Sequence, residues 1–367
     1  MMTLLNQIML FLTLYSLSER IVQSTRCEYL KNITVTVFQE KGEPYNQTIN
    51  GCIEDIVFSE EKNVVTALTI SRQNITHLEK YSVRNMAYID EIIIANCVLQ
   101  EIEAGAFSNL PKLRKISIGF SEIKEIGIDV FNVLEELQEF RIHNTDLDTI
   151  DKEGFASMPN LRKFYCDINK LEYYDSEWFT NSENLEILDF QFNKINSLPE
   201  RAFFDLKKLR KINFNNNEIS YIEPNAFEGV TTLESLFLNY NRLKMINPDV
   251  FTEKFKSTYF YINANYLNYL PKELLDKLTV KYISLDNNPW KCPCLEFVNR
   301  WLNVSNGTAI KSDSCIGSNL PVCLYPKQFT KVCNETIDED VTKEYLSNLR
   351  NATKHKTDLN PYCFRLD

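Results

Sequence analysis

The sequence predicts an α/β solenoid, a chain wound into stacked coils that share one parallel sheet, and three observations predict it. A six-residue phrase returns at a fixed 24-residue step, as "LRKISI" at 113–118, "LQEFRI" at 137–142, "LRKFYC" at 161–166, "LEILDF" at 185–190, "LRKINF" at 209–214 and "LESLFL" at 233–238. Phe stands at position 19 of seven successive units, Phe107, Phe131, Phe155, Phe179, Phe203, Phe227 and Phe251. Position 9 is Asn in the last six, Asn169, Asn193, Asn217, Asn241, Asn265 and Asn288. No unit this short buries its own apolar edge, so neighbours must stack into a continuous core.

Apolar residues at positions 1, 4, 6, 11 and 14 complete the pattern L-x-x-L-x-L-x-x-N-x-L, that of the leucine-rich repeat. Units begin at Val65, Ile89, Leu113, Leu137, Leu161, Leu185, Leu209, Leu233 and Ser257, then at Val280 after 23 residues, giving ten units over 65–288. Alternation at positions 4 and 6 makes a short strand with its leucines inward and the residues between them on a shared concave face. The fold class is therefore a leucine-rich-repeat horseshoe with a parallel concave sheet and an irregular convex side. An Asn amide supplies two donors and an acceptor, enough to satisfy backbone groups where each chain leaves its strand. The first four units carry Gln73, Cys97, Ser121 and Thr145 instead, which predicts a less regular ladder there. Positions 2 and 3 run Asp90-Glu91, Arg114-Lys115, Gln138-Glu139, Arg162-Lys163, Glu186-Ile187, Arg210-Lys211 and Glu234-Ser235, a charge that alternates along the stack and helps fix register.

The ends differ from the array. Residues 1–18 are apolar and end in small residues, as in a signal peptide, with retention as a membrane anchor as the alternative. No later stretch reaches the length of a spanning helix. Residues 19–64 read as an N-terminal cap closed by Cys27 and Cys52. Residues 289–336 read as a cysteine-rich C-terminal cap, beginning within "NPWKCPCLEFVNRWL". Cys292, Cys294, Cys315, Cys323, Cys333 and Cys363 are enough for three bridges, with fifteen pairings open. In the tail, 337–367, a helix over 338–354 aligns Val341, Tyr345 and Leu349 after an acidic start. That helix docks on the cap or, in the sharper reading, forms a homodimer contact. Cys97 and Cys166 fall inside the array and read as buried, inert thiols.

Seven Asn-x-Ser/Thr sequons, at Asn32, Asn46, Asn74, Asn303, Asn306, Asn334 and Asn351, point with the cysteines to a secreted, extracellular glycoprotein. None lies between residues 77 and 302, which hints at an array surface kept free for contact. A net charge of -10 argues against nucleic acid or an anionic membrane as the main partner.

Catalysis has no visible machinery. The three histidines, His77, His143 and His355, lack metal-ligand spacing, and there is no nucleophile elbow or phosphate-cradling glycine loop. The expectation is a non-enzymatic protein with no cofactor and no metal. Binding has candidates at the outward positions 3, 5, 7 and 8: Tyr165, Phe192, Phe237, Tyr240, Tyr259, Tyr261 and Tyr282, with His143 at position 7 of the fourth unit. Phe237, Tyr259, Tyr261 and Tyr282 fall on three adjacent strands, where they make one patch near the C-terminal cap. The rival reading is that tyrosines simply suit strands, or that the cap or tail folds over them.

The 24-residue units, the Phe at position 19 and above all "NPWKCPC...WL" resemble extracellular leucine-rich-repeat proteins with cysteine-rich caps, especially insect Toll-type ectodomains and secreted leucine-rich immune proteins. The resemblance spans about residues 27–335. It implies the cap pairing Cys292–Cys315 and Cys294–Cys333, leaving Cys323 and Cys363 for each other. A Toll receptor continues into a membrane span and a signalling domain, long mosquito immune proteins carry a coiled coil, and small matrix proteoglycans have four clustered cysteines before their repeats. This sequence is expected to be a short, soluble relative that binds an extracellular protein or glycoconjugate through its concave face, by analogy in innate immunity. A matrix or adhesion scaffold and a secreted enzyme inhibitor are the alternatives.

Overall fold

A computed structural model describes residues 30–58, 64–131, 134–156, 158–311, 322–328 and 331–353. The expected signal peptide and Cys27, Cys315 and Cys363 lie outside these residues. Among the described residues thirteen strands form one sheet. An antiparallel hairpin opens it, β1 (Ile33–Gln39) with β2 (Tyr45–Ile49), and β1 also runs antiparallel to β3 (Val65–Ser71). From β3 onward every pairing is parallel, through β4 (Glu91–Ala95), β5 (Lys115–Gly119), β6 (Glu139–His143), β7 (Lys163–Tyr165), β8 (Ile187–Asp189), β9 (Lys211–Asn213), β10 (Thr232–Phe237), β11 (Phe255–Tyr261), β12 (Leu278–Ser284) and β13 (Thr308–Ile310). Residues 24 apart face each other, as Ile92 faces Ile116 and Leu236 faces Phe260, so the sequence period is the step of the sheet.

The inward residues of these strands are almost wholly buried, Ile92, Ile116, Phe140, Phe164, Leu188 and Ile212 among them. The seven Phe residues of position 19 are 0–2% exposed and line up behind the sheet. Ring centroids lie 5.8 Å apart for Phe107–Phe131, 5.7 Å for Phe131–Phe155 and 4.9 Å for Phe227–Phe251. Offset aromatic contacts of this kind add to the area term of burial. Between the sheet strands the chain forms turns, short 3-10 helices such as Ser176–Phe179 and Pro248–Val250, and two-residue ribbons such as His77–Leu78 beside Glu101–Ile102.

The asparagine ladder joins each coil to the one before it. Asn217 Oδ1 accepts from the Ile195 N–H at 3.0 Å, while its Nδ2 donates to the carbonyls of Phe190 at 2.9 Å and Phe214 at 3.1 Å. Asn193, Asn241 and Asn265 repeat the arrangement. At the other end Ser121 donates only to the Gly119 carbonyl, at 3.4 Å, and the Cys97 thiol reaches the Ile70 carbonyl at 3.8 Å, so the ladder weakens there. Just before it, position 8 is left-handed in all ten units, with φ between 52° and 59° from Arg72 to Asn287. Asn suits that conformation and the bulky Phe120, Ile168, Phe192 and Tyr240 do not, yet the turn out of the strand imposes it on every coil.

The alternating charges pair as their register requires. Glu186 lies between Arg162, at 2.6 Å, and Arg210, at 3.7 Å, and Arg210 continues to Glu234 at 2.9 Å. Lys163 meets Glu139 at 3.2 Å, and Arg114 pairs with Asp90.

Among the described residues three helices follow the ninth unit's strand, α1 (Lys272–Lys277), α2 (Cys292–Ser305) and α3 (Glu339–Thr353). Cys52 is disulfide-bonded. In the C-terminal cap Cys294 joins Cys333, as the resemblance implies, but Cys292 joins Cys323 and not Cys315. This also overturns a Cys323–Cys363 bridge. The reason is a backbone bridge: the Cys292 N–H donates to Leu324 and the Leu324 N–H to Trp290, both at 2.9 Å, which sets Cys323 beside Cys292 with Cα atoms 4.9 Å apart. Asp338 caps helix α3, its carboxylate accepting from the N–H groups of Asp340 and Val341. Its face of Val341, Tyr345 and Leu349 is buried. Lys244 to Glu339 at 2.8 Å and Asn268 to Thr342 at 3.1 Å tie it to the ascending turns of the eighth and ninth units.

Candidate binding face

Register decides which outward side chains meet. Across β10, β11 and β12 it sets Ser235, Tyr259 and Tyr282 in one row and Phe237, Tyr261 and Ser284 in the next. Phe237 and Tyr261 stack at 4.6 Å with planes 4° apart. Tyr259 lies 6.3 Å from Tyr261 and 5.2 Å from Tyr282, again nearly coplanar in tilt. The four rings form one zigzag row on the concave face, each of them half-buried. Ammonium groups flank it, Lys211 Nζ lying 5.2 Å from the centroid of Phe237 and Lys281 Nζ 5.2 Å from that of Tyr282. Burial, helped by Tyr259, raises the Tyr261 phenol above its ordinary pKa. The row therefore presents neutral aromatic surface between two cations.

The other candidates occupy other positions of the array. Phe192 and Tyr240 belong to the left-handed column at the strand exits, with φ of 56° and 54°, and both are half-buried. Tyr165 ends β7 under the guanidinium of Arg141, 5.4 Å from its ring centroid, and its phenol is pushed up by burial and then by Glu139. His143 ends β6 and packs edge-on to Phe120 at 5.2 Å. A Cβ at Gly119 would overlap the His143 imidazole, so this close approach requires glycine. Burial lowers the His143 pKa, while Asp167 raises it and Arg141 lowers it further.

A polar cluster on β6 to β9 is absent from the sequence-based candidates. Arg141 reaches both oxygens of the buried Asp167, at 3.2 and 3.3 Å. On the next strand the buried Asp189 accepts from Asn213 Nδ2 at 2.9 Å and the Gln191 N–H at 3.1 Å. Burial pushes the Asp189 carboxyl above the usual carboxylate range. The available signal was an acid at outward position 7 of one unit and position 5 of the next, which reads as solvated until the crowding of the inner curve is seen.

Among the described residues no group of three His, Cys, Asp or Glu side chains is placed to hold a metal ion, and no helix is long and apolar enough to cross a membrane. Cys97 and Cys166 are free and buried, and burial raises both thiols. All seven sequon asparagines are exposed.

Comparison with known proteins agrees with this architecture. A leucine-rich-repeat family model matches residues 159–219, 183–243 and 208–267, and a model of the BspA type leucine-rich-repeat region, in six copies, matches 52–186. No curated protein matches the sequence significantly. Among solved structures, a chain of the octameric complex of Latrophilin 3, Unc5D and the leucine-rich-repeat part of FLRT2 aligns with a TM-score of 0.51 and 19% identity, over 76% of this chain and 90% of that one. Two forms of the Drosophila Toll–Spatzle complex align with TM-scores of 0.57 and 0.58 and identities of 17% and 15%. They cover 67% and 68% of this chain, which spans only 34% and 38% of theirs. With coils stepping by 24 residues, the asparagine ladder between them and family models matched from residue 52 to 267, the chain is a leucine-rich-repeat protein with an architecture similar to Toll-type ectodomains.

Proposed function

We propose that this is a secreted, glycosylated, non-enzymatic binding protein that grips an extracellular protein through the aromatic row of its concave face, in innate immune recognition. The observation that carries the reading is the stack Phe237–Tyr261–Tyr259–Tyr282. Rings already stacked in the free protein lose little rotamer freedom on binding, and aromatic side chains supply much contact area. The exposed sequons, the bridged caps and the absence of sequons between residues 77 and 302 support secretion with an open array surface. The related folds named above were solved within protein complexes, one of them described as a hub in development and innate immunity, which supports a protein ligand over a glycoconjugate.

The test is affinity capture from native extracellular fluid with wild type and with Tyr259→Ala/Tyr261→Ala. Wild type should recover a protein that the double variant loses while keeping its melting temperature. Equal recovery by both would remove the aromatic row as the site. Release of the bound material by glycosidase but not by protease would point to a glycoconjugate instead.

A further inference from the structure

The concave face changes its charge chemistry at the aromatic row. Along the earlier coils acids stand beside the outward cations: Arg114 pairs with Asp90, Lys163 with Glu139, and Arg162 and Arg210 with Glu186. Around the row they do not. Among the described residues Lys211, Lys256 and Lys281 pair with no carboxylate, and β11 and β12 read Phe-Lys-Ser-Thr-Tyr-Phe-Tyr and Leu-Thr-Val-Lys-Tyr-Ile-Ser, each with a lysine and no acid. Glu234 on β10 is held by Arg210 at 2.9 Å. Burial holds the Asp189 carboxyl above its usual range, and Lys211 opposes this without forming an ion pair. In a chain of net charge -10 the row therefore sits in a local cationic site.

The cations stand at the two ends of the rings. Lys211 Nζ lies 5.2 Å from the centroid of Phe237, and Lys281 Nζ 5.2 Å from that of Tyr282. Their strands, β9 and β12, are three steps apart in the sheet, roughly 14 Å at the usual strand spacing. An extended segment rising about 3.3 Å per residue crosses that distance in about four residues. Lys256 reinforces the Tyr282 end. With Lys281, Thr258, Thr279 and Asn306 it lines an open groove of about 270 Å³, and Thr258 and Lys281 directly precede Tyr259 and Tyr282 in the chain. Lys256 and Lys281 are exposed and Lys211 is half-buried.

We propose that the row receives an extended acidic segment of the partner protein. Its apolar side chains lie on the four rings, and two carboxylates about four residues apart reach Lys211 at one end and Lys281 with Lys256 at the other. The inference rests on the aromatic row being the binding face and adds the chemistry of what binds there. Cations spaced by neutral rings favour a peptide over a polyanionic sugar chain. A polymer charged along its whole length would set anions over the negative faces of Phe237, Tyr261 and Tyr259, whereas a peptide can place apolar residues there and acids only at the ends. Carboxylates drawn to exposed ammonium groups also orient the encounter, against the repulsion of the chain's own net charge.

The full chain, with its disulfides formed, is used to select from a displayed library of random short peptides. Selected peptides should carry two Asp or Glu residues about four positions apart with Leu, Phe, Tyr or Trp between them. Selection of neutral or basic peptides, or of none, would overturn the inference. The affinity of a selected peptide is then read by fluorescence anisotropy. Lys211→Ala/Lys281→Ala should weaken it about tenfold, the loss of two exposed ion pairs, with an unchanged melting temperature and a smaller difference at high salt. Lys281→Glu should weaken it further and recover with the peptide in which one of the two acids is replaced by Lys; no recovery with either replacement would count against the pairing. Lys170→Ala removes a cation elsewhere, one paired with Asp146 at 2.8 Å, and should bind as wild type; an equal loss there would mean that only overall charge is read. Asn306→Gln removes any sugar from the groove wall and should bind at least as well as wild type, and loss of binding would mean that the sugar holds the ligand. A peptide lost by Tyr259→Ala/Tyr261→Ala but kept by the lysine variants would overturn the acidic segment and leave the aromatic row as the site. One kept by both sets would remove the row as well.

Discussion

Replacing Asn217 by Ala tests whether the asparagine ladder holds the coils together. The amide is buried, and its four hydrogen bonds have unequal consequences. The Asn215 carbonyl, 3.3 Å from Asn217 Nδ2, keeps the Phe192 N–H at 3.0 Å. The Phe190 carbonyl also accepts from Asn193 at 3.0 Å and the Phe214 carbonyl from Asn241 at 2.8 Å, so each keeps a partner when Asn217 is gone. The Ile195 N–H loses the acceptor it has in Asn217. A stranded buried donor costs about 1–3 kcal/mol and each of the three lost but replaced carbonyl bonds about 0.5–1.5 kcal/mol, so the sum is roughly 2.5–7.5 kcal/mol. Urea denaturation should show that loss, and the Ile195 amide should exchange faster than its neighbours. Ser121→Ala is the internal reference, because that hydroxyl makes one long bond within its own coil and should cost under about 1.5 kcal/mol. If Asn217→Ala is no more damaging than Ser121→Ala, the ladder does not join the coils and the account of their stacking is wrong.

Phe155, wholly buried between Phe131 and Phe179 and against Phe140 and Phe164, should lose about 3–5 kcal/mol on replacement by Ala, read by the same urea titration. Glu139 stands in register between Lys115 and Lys163, so Glu139→Lys puts three cations in a row; its melting temperature should fall at low salt and recover towards wild type at high salt, and an unchanged curve would count against the charge ladder. Burial holds the Asp189 carboxyl above its ordinary range, so its protonated form favours folding; that contribution is present below the unfolded carboxylate pKa and lost as pH rises through the raised value. Asp189→Asn should therefore raise the melting temperature at neutral pH and change it little in acid, as calorimetry across pH would show.

The array was legible because several positions of each unit agree. The step of 24 residues, the Phe of position 19 and the inward pair at positions 4 and 6 each predict the same stack, and a parallel ladder joining Ile92 to Ile116 and Leu236 to Phe260 is what that stack requires. The C-terminal cap was not legible to the same depth. Six cysteines in a segment without a period leave the pairing to backbone contacts between distant stretches, and the bridge of Lys291 with Leu324 carries Cys323 to Cys292 across a sequence separation of 31. Family resemblance supplied Cys294–Cys333 and misplaced the partner of Cys292 because such a contact depends on the cap's own loop.

The same contrast runs through the candidate face. Phe237, Tyr259, Tyr261 and Tyr282 come together because a fixed step converts position in a unit into position on the sheet. Tyr240 and Phe192 stand instead at position 8, where the backbone has left the strand in a left-handed turn. The burial of Asp167 and Asp189 was invisible because an outward polar residue reads as solvated, whereas a curved sheet crowds outward side chains on its inner side. Under the proposed function, stability and contact fall to different residues of one strand: Phe260 faces the core at 1% exposure, and Tyr259 and Tyr261 on either side of it face out. Half-buried outward rings carry less of the transfer term than the inward ones, so Tyr259→Ala/Tyr261→Ala should cost far less stability than Phe155→Ala while removing the centre of the row. A double variant that melts as early as Phe155→Ala would mean that the row belongs to the core, and the concave face would then need another site for its partner.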